Sequence, residues 1–121
     1  MRQFAEAVRA RDYEGARALC DRAVVGFGTV SDRYTSLEEL ATEQWEVVWA
    51  RTEGFEFGLE GATYWHDGSS IVVASEWSSY GVESGGQKRQ RSGRATLVLA
   101  EEGNRVHALH MHFSMVPGTP A

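Results

Sequence analysis

Two kinds of hydrophobic spacing divide this chain near Gly54. Before it, apolar residues recur every three or four positions, the period of helices packed through one face. Phe4 and Val8, with Ala5 and Ala7, predict a short helix over 2–11. Asp12 stands where an N-cap is wanted, and Gly15 three residues on makes the cap simple rather than a capping box. A second short helix is expected through Ala16, Leu19 and Cys20, ending near Asp21. Both are too short to be stable without something larger to pack on. Val24 to Thr29 is a brief apolar segment, and 31–36 reads as a loop. Ser36 and Glu39 have capping-box spacing and open the longest helix, over 37–51. Leu37, Ala41, Trp45 and Val48 form its stripe, with Leu40, Gln44 and Trp49 at the edges.

After Gly54 the spacing switches to alternation, the signature of strands. Phe55, Phe57 and Leu59 alternate with Glu56, Gly58 and Glu60, and the pattern runs on through Trp65 to a His66–Asp67–Gly68 turn, with Gly61 marking a bend. Ile71–Tyr80 is the next strand, Gly81–Gly86 a loop, Ala95–Ala100 another strand, and Glu101–Asn104 turns the chain into the last one. In that last run Val106, Ala108, His110, His112 and Ser114 fall on one face by strict alternation. His107, Leu109, Met111, Phe113 and Met115 fall on the other. Helices first, then four long antiparallel strands, predict an α+β two-layer domain. Several strands are half apolar on both faces, which calls for cover beyond a few short helices, and a homodimer is the expectation.

Composition narrows the options. At 121 residues, 42% of them hydrophobic, the chain fits one folded domain over 1–121. The net charge of -5 argues against a general nucleic-acid partner. Cys20 is the lone cysteine, so neither an intrachain disulfide nor a thiolate metal cluster is available. No apolar run reaches membrane-spanning length, and a cytoplasmic location is expected.

Three of the four histidines lie in the last strand. His110 and His112 stand about 7 Å apart along one face. A metal would need a third ligand that the spacing does not supply, so neither a metal nor a cofactor is expected. A histidine lining a cavity has a reference pKa suited to acid–base work. Lys88, Arg89, Arg91 and Arg94 form the densest cationic cluster, either a solvated strand end or an anion clamp. No G-x-S-x-G nucleophile elbow, Walker loop or dinucleotide glycine pattern occurs.

The ending His110–Met111–His112–Phe113–Ser114 with Pro117 resembles the H-x-H-x-S-x-x-P ending of the SnoaL-like, nuclear-transport-factor-2-like (NTF2-like) superfamily, in the subgroup related to the calcium/calmodulin-dependent kinase association domain. The N-terminal helices with Asp12, the helix from Ser36 and the Gly93–Leu99 strand agree with it. Val106 and Ala108 depart from it, since members commonly carry Trp and Ile or Val there. The Asp–His arrangement of the polyketide cyclases is not matched, nor is the Asp–Arg–Asp set of the epoxide hydrolases. The resemblance implies a cone-shaped α+β fold. A strongly bent mixed sheet, including Val24–Thr29, would wrap the helices and enclose a pocket, with homodimers formed through the outer sheet face. The expected ligand site is Phe27, Trp45, Trp49, Phe57, Trp77, Arg94, His110, His112 and Phe113, taking a small apolar or carboxylate-bearing ligand. A lyase, isomerase or cyclase using a pocket His or Asp, and a non-enzymatic assembly module, are the alternatives.

Overall fold

A computed structural model describes residues 1–118. Helix α1 (Arg2–Ala10) buries Phe4, Ala5, Ala7 and Val8. It stops at Arg11, whose left-handed backbone (φ 53°) lets its N–H and that of Asp12 close on the carbonyls of Val8 and Ala7. That conformation normally favours glycine. Here the arginine offsets the strain with long-range bonds, its Nε donating to the Trp49 carbonyl at 2.7 Å and its Nη2 to that of Thr52 at 3.0 Å. Asp12 caps α2 (Tyr13–Arg17), its carboxylate accepting from the Gly15 N–H at 2.9 Å.

The second helix is shorter than its sequence pattern. Cys20 starts strand β1 (Cys20–Phe27) rather than ending α2. The Leu19 carbonyl is taken by the Ala108 N–H at 2.8 Å, so pairing with the last strand outcompetes another helical turn.

The long helix begins at Ser36, whose Oγ accepts from the Glu39 N–H at 3.2 Å. The Glu39 carboxylate accepts from the Thr35 hydroxyl at 2.8 Å, which leaves the cap one-sided. After α3 (Leu37–Glu39) the helix widens into a π-helical segment, Leu40–Trp45, and finishes as α4 (Glu46–Trp49). The wider turn changes which side chains share a face. Leu40, Ala41, Gln44, Trp45 and Trp49 are all buried. Gln44 and Trp49, expected at the edges, therefore join the interior.

Six strands form one sheet in the order β1-β6-β5-β4-β2, with β3 also on β4. Strand β1 runs parallel to β6 (Arg105–Met115), and the remaining pairs are antiparallel. The sheet is thus mixed, not the purely antiparallel four-stranded one that alternation alone suggests. Strands β4 (Ser70–Val82) and β5 (Lys88–Glu102) pair over their length. The run expected to be continuous from Phe55 to Trp65 is broken by a 3-10 turn at Leu59–Gly61. Its halves, β2 (Thr52–Phe57) and β3 (Thr63–Asp67), lie along successive stretches of β4.

Between β5 and β6 the register slips: Leu99 faces Ala108 while Val98 faces His110, which leaves Leu109 unmatched. This bulge breaks the strict alternation of the last strand. Ala108 turns inward together with Met111, both nearly inaccessible, instead of sharing a face with His110 and His112. Gly93 is required where Trp77 crosses β5, since a Cβ there would run into the indole and the Ser114 carbonyl. Among the described residues no helix is long and apolar enough to cross a membrane.

Candidate functional site

Helix α1, the α3–α4 helix and the inner face of the sheet enclose a cavity of about 60 Å³. Its walls are largely aromatic. Trp45 and Trp49 stack at 5.0 Å from the helix side, and Phe4 enters from α1. Trp77 and Phe113 come from the sheet. Phe27, 40% exposed, stands at the mouth beside Gly28 and Thr29.

The polar groups of the lining are few. Gln44 holds the mouth together: its Oε1 accepts from the N–H groups of Val30 and Ser31 at 3.0 and 2.9 Å, and its Nε2 donates to the Thr29 hydroxyl at 2.9 Å. Gln44→Ala is expected to destabilise the fold by about 1–3 kcal/mol, because two backbone donors lose a buried acceptor. Chemical denaturation checks this, and a loss well below 1 kcal/mol would mean that water replaces the amide. The Tyr34 hydroxyl donates to the Met111 carbonyl at 3.1 Å, and burial raises its pKa above the ordinary tyrosine value.

Arg91 is the one charged residue in the lining among the described residues, and it is only 8% exposed. Its Nη1 donates to the Ser79 hydroxyl at 3.1 Å, and its Nη2 reaches the Met115 sulfur at 3.8 Å. The guanidinium carbon lies 5.3 Å from the centre of the Trp77 ring. None of the ion pairs among the described residues supplies it with a carboxylate. Desolvation, then repulsion from Arg89 and Arg51, lowers its pKa. An arginine stays charged even so. The result is a buried cation whose direct contacts are a hydroxyl, a thioether and an indole face, with further cations nearby, the arrangement that favours an incoming oxyanion.

The candidates from the sequence separate into two groups. Trp45, Trp49, Trp77 and Phe113 meet around this cavity, while Phe27 borders only its mouth, its ring packed on the outward-facing His110 and His112. Phe57 is buried but lies behind the lining, its ring 5.0 Å from Phe55 and 6.2 Å from Phe4. Arg94 is on the opposite, outer face of β5, exposed, its Nη2 donating to the Ser114 hydroxyl at 3.3 Å. His110 also faces outward, its Nδ1 2.7 Å from the Val25 carbonyl. His112 is exposed and meets Phe27 edge-on at 5.1 Å. His107, on neither wall, lies 3.5 Å from Asp21 and 3.8 Å from Glu102. Of the two faces of β6, the one carrying Met111 and Phe113 looks inward. Arg94 is therefore replaced by Arg91 as the cationic group of the cavity. The signal was present in the alternation of β5, because Arg91 shares its parity with the buried Gly93, Ala95 and Leu97. Among the described residues no group of three His, Cys, Asp or Glu is arranged to hold a metal.

The model of the SnoaL-like domain matches residues 1–118. The chain belongs to the SnoaL-like domain family. A search of curated proteins returns no match. Among solved structures, a candidate calcium/calmodulin-dependent protein kinase II association domain from Xanthomonas campestris superposes with a TM-score of 0.82 at 18% identity, covering 96% of this chain and 82% of the other. An NTF2-like superfamily protein from Salmonella enterica serovar Typhimurium gives 0.80 at 16% identity, with 99% and 88% covered. A candidate dehydratase of the NTF2-like family from Streptomyces avermitilis gives 0.79 at 19%, with 95% and 89% covered. At these identities the likeness shows the fold, an α+β NTF2-like cone. SnoaL-like chains share that shell across different activities, so the contents of the cavity must carry the functional argument.

Proposed function

We propose that this SnoaL-like domain binds a small carboxylate-bearing molecule with an apolar body, the carboxylate meeting Arg91 and the body lying against Trp45, Trp49, Trp77 and Phe113. The observation that carries this reading is the burial of the Arg91 guanidinium without a carboxylate partner among the described residues. A buried charge is unfavourable until something neutralises it, and a carboxylate fits the guanidinium fork in two parallel hydrogen bonds. Binding is favoured over proton-transfer chemistry because the described lining holds no Asp, Glu or His. Tryptophan fluorescence tests it: acetate, propionate and butyrate are titrated beside the matching amides. Saturable quenching by the acids and none by the amides is expected. Equal responses from both series would sink the reading.

The same domain is proposed to form a homodimer through the outer sheet face. Cross-strand neighbours there are Trp65, Val72, Val98 and His110 in one row, and Ala74, Thr96, His112 and Phe27 in the next. Trp65 is 55% exposed, and Phe27 and Tyr80 are also exposed, an unusual amount of aromatic surface to leave in water. Light scattering on the purified chain is expected to give twice the chain mass, and Val98→Glu half of that with an unchanged circular dichroism spectrum. A monomeric parent at tens of micromolar would refute the dimer. A cytoplasmic location goes with this reading, because Cys20 is a free thiol.

A further inference from the structure

We infer that the domain has a second ligand site, for the end of an unbranched aliphatic chain, beneath the start of α1. A separate cavity of about 80 Å³ lies there, walled by Phe4, Leu19, Cys20, Leu97, Ala108 and Met111. Phe4 and Met111 also border the Arg91 cavity and form the partition between the two. Ala108 reaches this space because of the β6 bulge, and its methyl group is too small to fill it.

The chemistry of the walls selects the ligand. No charged side chain contributes; the polar groups of the lining residues are the Met1 α-amino group, whose pKa burial lowers, the Gln3 amide and the Cys20 thiol. Burial raises the thiol to a pKa of about 12, so it stays neutral and acts as an apolar wall atom. No fully buried polar side-chain atom in the described structure lacks a partner. Apolar cavities of this kind stay dry and accept apolar guests.

The shape selects it further. Met1, Gln3 and Leu99 line both this cavity and an open groove of about 590 Å³, which continues past Leu59, Tyr64, Ile71 and Val73. The enclosed part has room for a few methylene groups. The groove supplies apolar surface for the rest of a chain and has Arg2 and Glu60 in its lining, where a polar head remains in water. A narrow apolar end followed by an open apolar track fits a linear alkyl chain, not a ring system. The carboxylate site does not enter this argument, so either reading can fail without the other.

The test uses 1-octanol, which has no carboxylate to engage Arg91, on the full chain labelled at alanine methyl groups. Titration is expected to shift the Ala108 methyl resonance saturably, and to slow methylation-type thiol modification of Cys20 at least tenfold. 1-Butanol should do this more weakly at equal concentration. Ala108→Ile fills the cavity and should remove the Cys20 protection while leaving carboxylate titration at the Trp45–Trp49 wall unchanged. If that variant does not fold, Cys20 protection in the unaltered chain still decides. Absence of a saturable Ala108 shift or of Cys20 protection overturns the proposal. So does protection that persists in folded Ala108→Ile, or an octanol response confined to the tryptophans.

Discussion

Arg91→Met is expected to weaken carboxylate binding by roughly 100-fold or more and to make the empty protein more stable. The first effect follows from losing charge-assisted hydrogen bonds, each about 1.5–3 kcal/mol where one partner is ionised. The second follows from the same burial that makes the site. With no carboxylate nearby among the described residues, the guanidinium is held by one hydroxyl, a thioether and the face of Trp77. Burial and the nearby Arg89 and Arg51 both disfavour its charged form. Apolar replacement of buried ionic groups of similar volume has gained about 1–4 kcal/mol elsewhere, and methionine nearly matches the length of the aliphatic stem. Thermal denaturation should therefore show a midpoint several degrees higher, while fluorescence titration with propionate loses its saturable phase. Arg91→Lys should fall between, retaining charge but not the two-pronged geometry. A folded Arg91→Met protein that binds propionate as tightly as the parent would remove the basis of the proposed function.

Phe4→Ala is expected to be the most damaging single truncation, at about 3–5 kcal/mol. The Phe4 ring lies 5.9 Å from Trp45, 6.4 Å from each of Trp49, Phe55 and Phe113, and 6.2 Å from Phe57. It is the side chain through which α1 enters the aromatic core. A helix of nine residues has little stability of its own, so α1 depends on this insertion and on the Arg9 and Arg11 bonds to backbone carbonyls. Since whole-domain stability is typically about 5–15 kcal/mol, the variant should sit near its unfolding threshold. Urea denaturation measures the loss. A loss below 1 kcal/mol would mean that the surrounding rings collapse into the space. Where the variant remains folded, removing Phe4 also opens the partition between the two cavities.

Much of the site was legible from local pattern. The parity of β5 separates Arg91, which shares it with the buried Gly93, Ala95 and Leu97, from the outward Arg94. Large aromatic rings on the helix stripe and on the strands favour burial, and Trp45, Trp49, Trp77 and Phe113 line the cavity. Phe57 was indistinguishable from them in sequence, since a buried ring looks the same whether it touches the cavity or stands behind another ring.

What the sequence determined by itself is therefore what neighbours in the chain decide. The Asp12 and Ser36 caps, the switch from helical to alternating spacing near Gly54, and the ending that resembles SnoaL-like proteins are of this kind. Their physics is contained within a few residues. Tertiary structure decided the rest. Helix α2 yields Cys20 to β1 because β6 is alongside to pair with it. The π-helical turn, which carries Gln44 and Trp49 inward, has no signature in the spacing. The bulge at Leu109 depends on how β6 meets β5, and a one-residue slip reverses every side chain beyond it. That slip turns Ala108 inward to Met111 and Phe113, and leaves His110 and His112 on the outer face. Whether a residue lines a cavity is a property of strands paired across the sheet, which no stretch of either strand encodes alone.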